Sequence, residues 1–217
     1  MVLECGGKDP MIVFADADLD KAAEDAVTFS LSNCGQVCCA VERIYVDESV
    51  KDAFAEKVVK IAGGWTAGDG LDESVTMGPL VSELQRTTVH KHVRAAVAAG
   101  ATCALGGEMP PADKPGTFYP PTVLVDVPHK GCPEITQEET FGPVVAISSF
   151  GGAEDVAVAL SNDCESHKSA VVSIHPSIHP SIHSSIHPHL ATPEVQFTLS
   201  NQATNTTLVP SIHIFAL

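Results

Sequence analysis

From Met11 to Phe150, short apolar runs alternate with stretches whose apolar residues recur at three- and four-residue spacing. Alternation of this kind predicts strands and helices packed in layers, an α/β domain. Met11–Phe14 is expected as a buried strand, followed by a helix capped by Asp18 with Leu19, Ala22, Ala23, Ala26 and Val27 on one face. Arg43–Val46 predicts the next strand. Ser49 is expected to cap a second helix carrying Val50, Phe54, Val58 and Ile61, which Gly63 and Gly64 end. Ser82 and Gln85 have the spacing of a capping box for a third helix running through Val89, Val93 and Val97 to Gly100. Further strands are expected at Thr102–Leu105, Thr122–Val127 and Val144–Phe150. At 44% hydrophobic residues, the chain has enough apolar side chains to fill a core between such layers.

The character changes after Asn162. Ser173–Pro188 repeats SIHP with one SIHS, and Glu194 is the only Asp, Glu, Lys or Arg from Val171 to the end. Proline at a period of four excludes a helix and removes ladder donors from a strand, so an extended or disordered run is expected. The division is therefore a domain over residues 1–162 and an unrelated His/Pro/Ser tail over 163–217. His175, His179, His183 and His187 would share a helix face as metal ligands, but Pro176, Pro180 and Pro188 forbid that helix, and no metal site is assigned. Asn205–Thr207 has the form of a glycosylation sequon, a triplet common by chance.

Net charge is −15, and no basic run could neutralise a phosphate backbone or an anionic membrane, so neither is an expected partner. No stretch approaches the ~20 apolar residues of a membrane span, and the start has no secretory signal, so a cytoplasmic or organellar location is expected. Seven scattered cysteines match neither a disulfide framework nor zinc knuckles and are expected as free thiols.

Three segments could carry chemistry. In Asn33–Ala40, Cys38 occupies a glycine-containing connection between a helix and a strand, where backbone N–H groups can face a carbonyl oxygen and a thiolate can be exposed; taken alone, a cysteine pair near glycine is more often an ordinary buried pair of small apolar residues. In Leu3–Pro10, Glu4 lies in an apolar, glycine-rich stretch that could raise its pKa and make it a general base, or it is simply a turn residue. In Glu138–Val144, Glu139 could accept hydrogen bonds from sugar hydroxyls while Phe141 packs on a cofactor, or the segment is a plain connection with solvent-facing carboxylates.

The order and separation of LECGGK at Leu3–Lys8, GQVC at Gly35–Cys38 and ETFGP at Glu139–Pro143 resemble the aldehyde dehydrogenase superfamily, in which L-E-L-G-G-K, G-Q-x-C and E-x-F-G-P follow in that order. IVFADADLD, RIYV, MGPLV and PPTVL also resemble the family, and the resemblance covers Val2 to about Asn162. It implies the fold of the family's catalytic domain, NAD or NADP as cofactor, and a small aldehyde as substrate. It further implies Cys38 as the nucleophile that forms a thiohemiacetal and then a thioester, with its own N–H as half of an oxyanion hole. Glu4, 34 positions earlier, is implied as the base that activates water to release a carboxylic acid, and Glu139 and Phe141 as contacts to the nicotinamide ribose.

Two departures bear on this. Cys5 stands where the family has Leu, placing a second thiol beside the implied base. The family's cofactor-binding half, with the Asn that completes the oxyanion hole, precedes the matched segment, and its oligomerisation strand follows it. The resemblance thus implies a homo-oligomeric family but a segment with neither part, expected to fold incompletely. The competing reading is a catalytically inactive remnant or an interaction fragment.

Overall fold

A computed structural model describes residues 6–111, 113, 115–164 and 171–173. Its framework is a six-stranded sheet built from β1 (Asp9–Val13), β2 (Val41–Asp47), β3 (Thr102–Leu105), β4 (Thr122–Val125), β5 (Val144–Phe150) and β6 (Val171–Ser173), in the order β3-β4-β5-β2-β1-β6. All neighbours pair in parallel except β3, which runs antiparallel to β4 at one edge. The result is a mixed α/β sheet of the kind the alternation predicted.

A parallel sheet must be covered on both faces. Met11 and Val13 of β1 enter the main core with Ile44 and Val46 of β2, under α1 (Leu19–Leu31) and α2 (Lys51–Ala62). The alternate residues Ile12, Phe14 and Tyr45 enter a second cluster with Phe150 and with Ala157 and Val158 of α5 (Glu154–Asn162), the helix that follows α3 (Glu83–Ala98) and the one-turn α4 (Pro133–Thr136). Period-two alternation along each strand thus assigns the two faces. Phe54 and Val58 of α2 are completely buried, and each such side chain stabilises by about 1.5–3 kcal/mol. No helix among the described residues is long and apolar enough to cross a membrane.

Asp18 caps α1 as expected, accepting from the amides of Asp20 and Lys21 at 3.0 and 3.1 Å, a cap contributing about 1 kcal/mol. Ser49 does not cap α2. Its amide and hydroxyl both donate to the Asp47 carboxylate, closing the turn after β2, and the helix starts after Val50 without a side-chain cap. At α3 (Glu83–Ala98) Ser82 accepts from the Gln85 amide at 3.1 Å, but the Gln85 side chain turns away from the cap. β3 and β5 have the expected limits. β4 stops two residues early because Asp126 is left-handed, at φ 56°, and is held there by Lys51 at 2.6 Å.

β6 lies beyond the division expected at residue 162. Three residues carry too little pattern to read as a strand, and pairing with Met11–Val13 places them in the sheet. The repeat after Ser173, with its four histidines, lies outside the described residues. Arg43, buried in β2, donates to the carbonyl oxygens of Lys8 at 2.9 Å and of Ser161 at 3.0 Å in the last turn of α5, where a cation suits the helix dipole. It thereby ties β1, β2 and α5 together across the sheet.

Candidate active site

β5, β2 and β1 are adjacent and parallel, so the loops entering their amino ends meet at one edge of the sheet. Those loops are residues 6–8, 35–40 and 139–143, the three segments singled out in the sequence. Each pair of loops touches through a glycine. A Cβ on Gly7 would lie 1.9 Å from the Cys38 carbonyl oxygen, one on Gly6 would lie 2.5 Å from Glu139 Oε2, and one on Gly35 would lie 2.1 Å from the Gly142 carbonyl oxygen. Any side chain there would force the loops apart.

The loop carrying Cys38 begins with a 3-10 turn, Ser32–Gly35, in which Asn33, Cys34 and Gly35 have φ of 53°, 60° and 70°. This left-handed run turns the chain from α1 into β2. Glycine adopts it freely and asparagine readily, whereas Cys34 does so at a cost of about 1–2 kcal/mol. Cys34 is fully buried, and burial pushes its thiol up to about 12. It is a packing residue that stays protonated. Gln36 braces the turn: its Nε2 donates to the Asn33 carbonyl at 3.2 Å, and its Oε1 accepts from the Val81 amide at 2.8 Å. Cys38 is half-buried beyond this brace; the neighbouring Cys39 thiol is raised by burial and then by Cys38.

Glu139 is half-buried, and its Oε1 accepts from the Gly7 amide at 2.9 Å. Phe141 is left-handed, at φ 48°. Its turn is gripped from two sides. Gln85 Nε2 donates to the carbonyl oxygens of Thr140 at 2.9 Å and Phe141 at 3.1 Å, and the Glu42 carboxylate accepts from both amides at 2.8 Å. Glu42 also pairs with Lys8 Nζ at 2.7 Å, both side chains being almost wholly removed from solvent. Lys8 Nζ donates in addition to Thr140 Oγ1 at 3.1 Å, and His92 Nδ1 lies 3.2 Å from the same oxygen. Burial, and after it the Lys8 ammonium, hold the His92 imidazole below its usual range. His92 Nε2 faces Glu138 at 3.6 Å.

The structure therefore brings Cys38, Glu139 and Phe141 to one edge, joined through Gly6 and Gly7. Glu4 and Cys5 lie outside the described residues. Sequence reasoning missed Lys8, Glu42, Gln85, His92 and Thr140, which hold the loops. A signal existed for one pair: Lys8, just before β1, and Glu42 in the neighbouring parallel β2 are 34 positions apart, the same interval as Glu4 and Cys38.

The half-buried Cys38 and the backbone-anchored Glu139 carboxylate thus lie on loops that touch through Gly6 and Gly7. The sequence profile of the aldehyde dehydrogenase family matches residues 1–175. The chain is 43% identical over 163 residues to succinate-semialdehyde dehydrogenase [NADP(+)] of Escherichia coli K12, covering 75% of this chain and 33% of that protein. It is 43% identical over 163 residues to glutarate-semialdehyde dehydrogenase of Pseudomonas putida KT2440, covering 75% of this chain and 32% of that one. The chain thus spans about a third of the length of these relatives. Among solved structures, betaine aldehyde dehydrogenase from Staphylococcus aureus in complex with NAD+ superposes with a TM-score of 0.73 at 35% identity, over 83% of this chain and 35% of that one. Motifs, sheet and comparisons agree, and the chain belongs to the aldehyde dehydrogenase family.

Proposed function

We propose that this chain carries the thiol chemistry of an NAD(P)-dependent aldehyde dehydrogenase, with Cys38 as the nucleophile. The observation that supports this reading best is the contact of Gly7 with both the Cys38 carbonyl and the Glu139 carboxylate, which joins all three motif loops at one place. Cys38 Sγ adds to the aldehyde carbonyl carbon, and the oxyanion that forms is stabilised by the Cys38 N–H. NAD(P), when bound, supplies the hydride acceptor. Glu4 removes a proton from the water that cleaves the resulting Cys38 thioester and frees the carboxylic acid.

The residues present fit the ribose end of such a cofactor. An ionised carboxylate is an acceptor-only group suited to sugar hydroxyls, and Glu139 is held toward Gly7 by one oxygen, with Phe141 two positions on. Within the same reading, the His- and Pro-rich repeat after Ser173 is a separate appendage to the catalytic domain.

The test is mass spectrometry of the purified chain incubated with NAD or NADP and succinate semialdehyde, glutarate semialdehyde or betaine aldehyde. An acyl adduct on Cys38 that accumulates when Glu4→Gln blocks hydrolysis is the expected result. Adducts spread over several cysteines, or none on Cys38, would favour the reading of a non-catalytic interaction fragment.

A further inference from the structure

Glu42 lies outside the residues assigned above, yet three donors converge on its two oxygens: Lys8 Nζ and the Thr140 amide on Oε2, and the Phe141 amide on Oε1. The ammonium partner is itself completely buried. A buried ion pair adds little net stability over apolar side chains of the same volume, so stability alone gives no reason for this one. What a carboxylate supplies is acceptance at both oxygens. An amide in its place would turn one NH2 toward a donor, whichever way it were flipped. The two amides it holds belong to the turn in which Phe141 is left-handed, and that turn begins one residue after Glu139.

The geometry points to Glu42 as a positioning residue that sets the place of the Glu139 carboxylate against the Gly7 amide, with Lys8 as its buried ion-pair partner. The chain of contacts runs from Lys8 to Glu42, to the amides of residues 140 and 141, to the backbone of Glu139 and to its bond with Gly7. Lys8 follows Gly7 directly, so the path closes on itself: the segment that receives Glu139 also carries the cation that orients it. Only the catalytic consequence, a correctly placed acceptor for the cofactor ribose, rests on the function proposed above.

Amide hydrogen exchange of the full chain tests this. In Glu42→Gln, exchange at Gly7 and Phe141 is expected to accelerate at least ten-fold more than at Ile12 and Ile147 in the central strands. Equal acceleration at all four amides would reduce Glu42 to a general stability contributor and overturn the inference, as would no change at Gly7. If Glu42→Gln fails to fold, the double variant Lys8→Met/Glu42→Met removes the pair without leaving a lone buried charge, and the same comparison decides. Where turnover is measurable, a KM for NAD(P) raised about ten-fold with an unchanged KM for aldehyde is expected. Loss of Gly7 protection with an unchanged cofactor KM would sink the ribose assignment and leave the positioning role standing.

Discussion

Gly35 rests against Gly142 so closely that a Cβ on Gly35 would fall 2.1 Å from the Gly142 carbonyl oxygen, and its φ is 70°. The loop that carries Cys38 and the turn after Phe141 are therefore in backbone contact, with no side chain between them. Gly35→Ala would meet both a left-handed conformation and an immovable carbonyl. It is expected to destabilise the chain by about 2 kcal/mol or more in urea unfolding. Gly70→Ala, which meets nothing within 4 Å, is the control and should change stability by less than about 0.5 kcal/mol. Equal effects at the two positions would show that close approach is not what holds the loops together.

The cysteines differ in environment, and limiting iodoacetamide reads that difference. Cys38 is half-buried at the loop edge, whereas Cys34 is enclosed with its thiol pushed up to about 12. At pH 8 Cys38 is expected to alkylate about 100-fold faster than Cys34 or more, since the reactive species is the thiolate and Cys34 has almost none. Addition of urea should erase the difference. Comparable rates in the folded protein would remove the basis for assigning distinct roles to the two thiols.

His92 makes stability depend on pH. Its folded pKa is depressed by burial and by Lys8, while in the unfolded chain it titrates at about 6.5. Below that value the unfolded state binds a proton that the folded state resists, so stability is present above the ordinary imidazole range and is lost as pH falls beneath it. His129, also depressed by burial, acts in the same direction. Urea unfolding at pH 5 and pH 7 should show lower stability at pH 5 and a smaller difference in His92→Asn. An unchanged difference in that variant would assign the loss to other groups.

Much of the fold was legible because its signals are local. The cap at Asp18, the alternation in β1 and β2, and the limits of β3 and β5 all rest on residues close in sequence. The misreadings have a common origin. Ser49 has the chemistry of a helix cap, but Asp47 lies two residues away and takes its donors first. Gln85 has capping-box spacing, yet its amide is drawn to carbonyls 55 and 56 positions distant. β6 is recognisable only through β1, to which it is paired. In the site, Cys38, Glu139 and Phe141 stood out through their motifs, whereas Glu42 belongs to no motif and lies just outside the strand expected at Arg43–Val46.

Sequence alone determined which elements form, because capping, period and turn chemistry act over a few residues, and it determined the family, because three motifs keep their order and separation. Only the tertiary structure decided what holds those motifs together. The parallel pairing of β5, β2 and β1 brings three distant loops to one edge, and there a buried carboxylate must find donors from separate segments. Its partners lie 34, 98 and 99 positions away, and no local rule selects among donors at such distances.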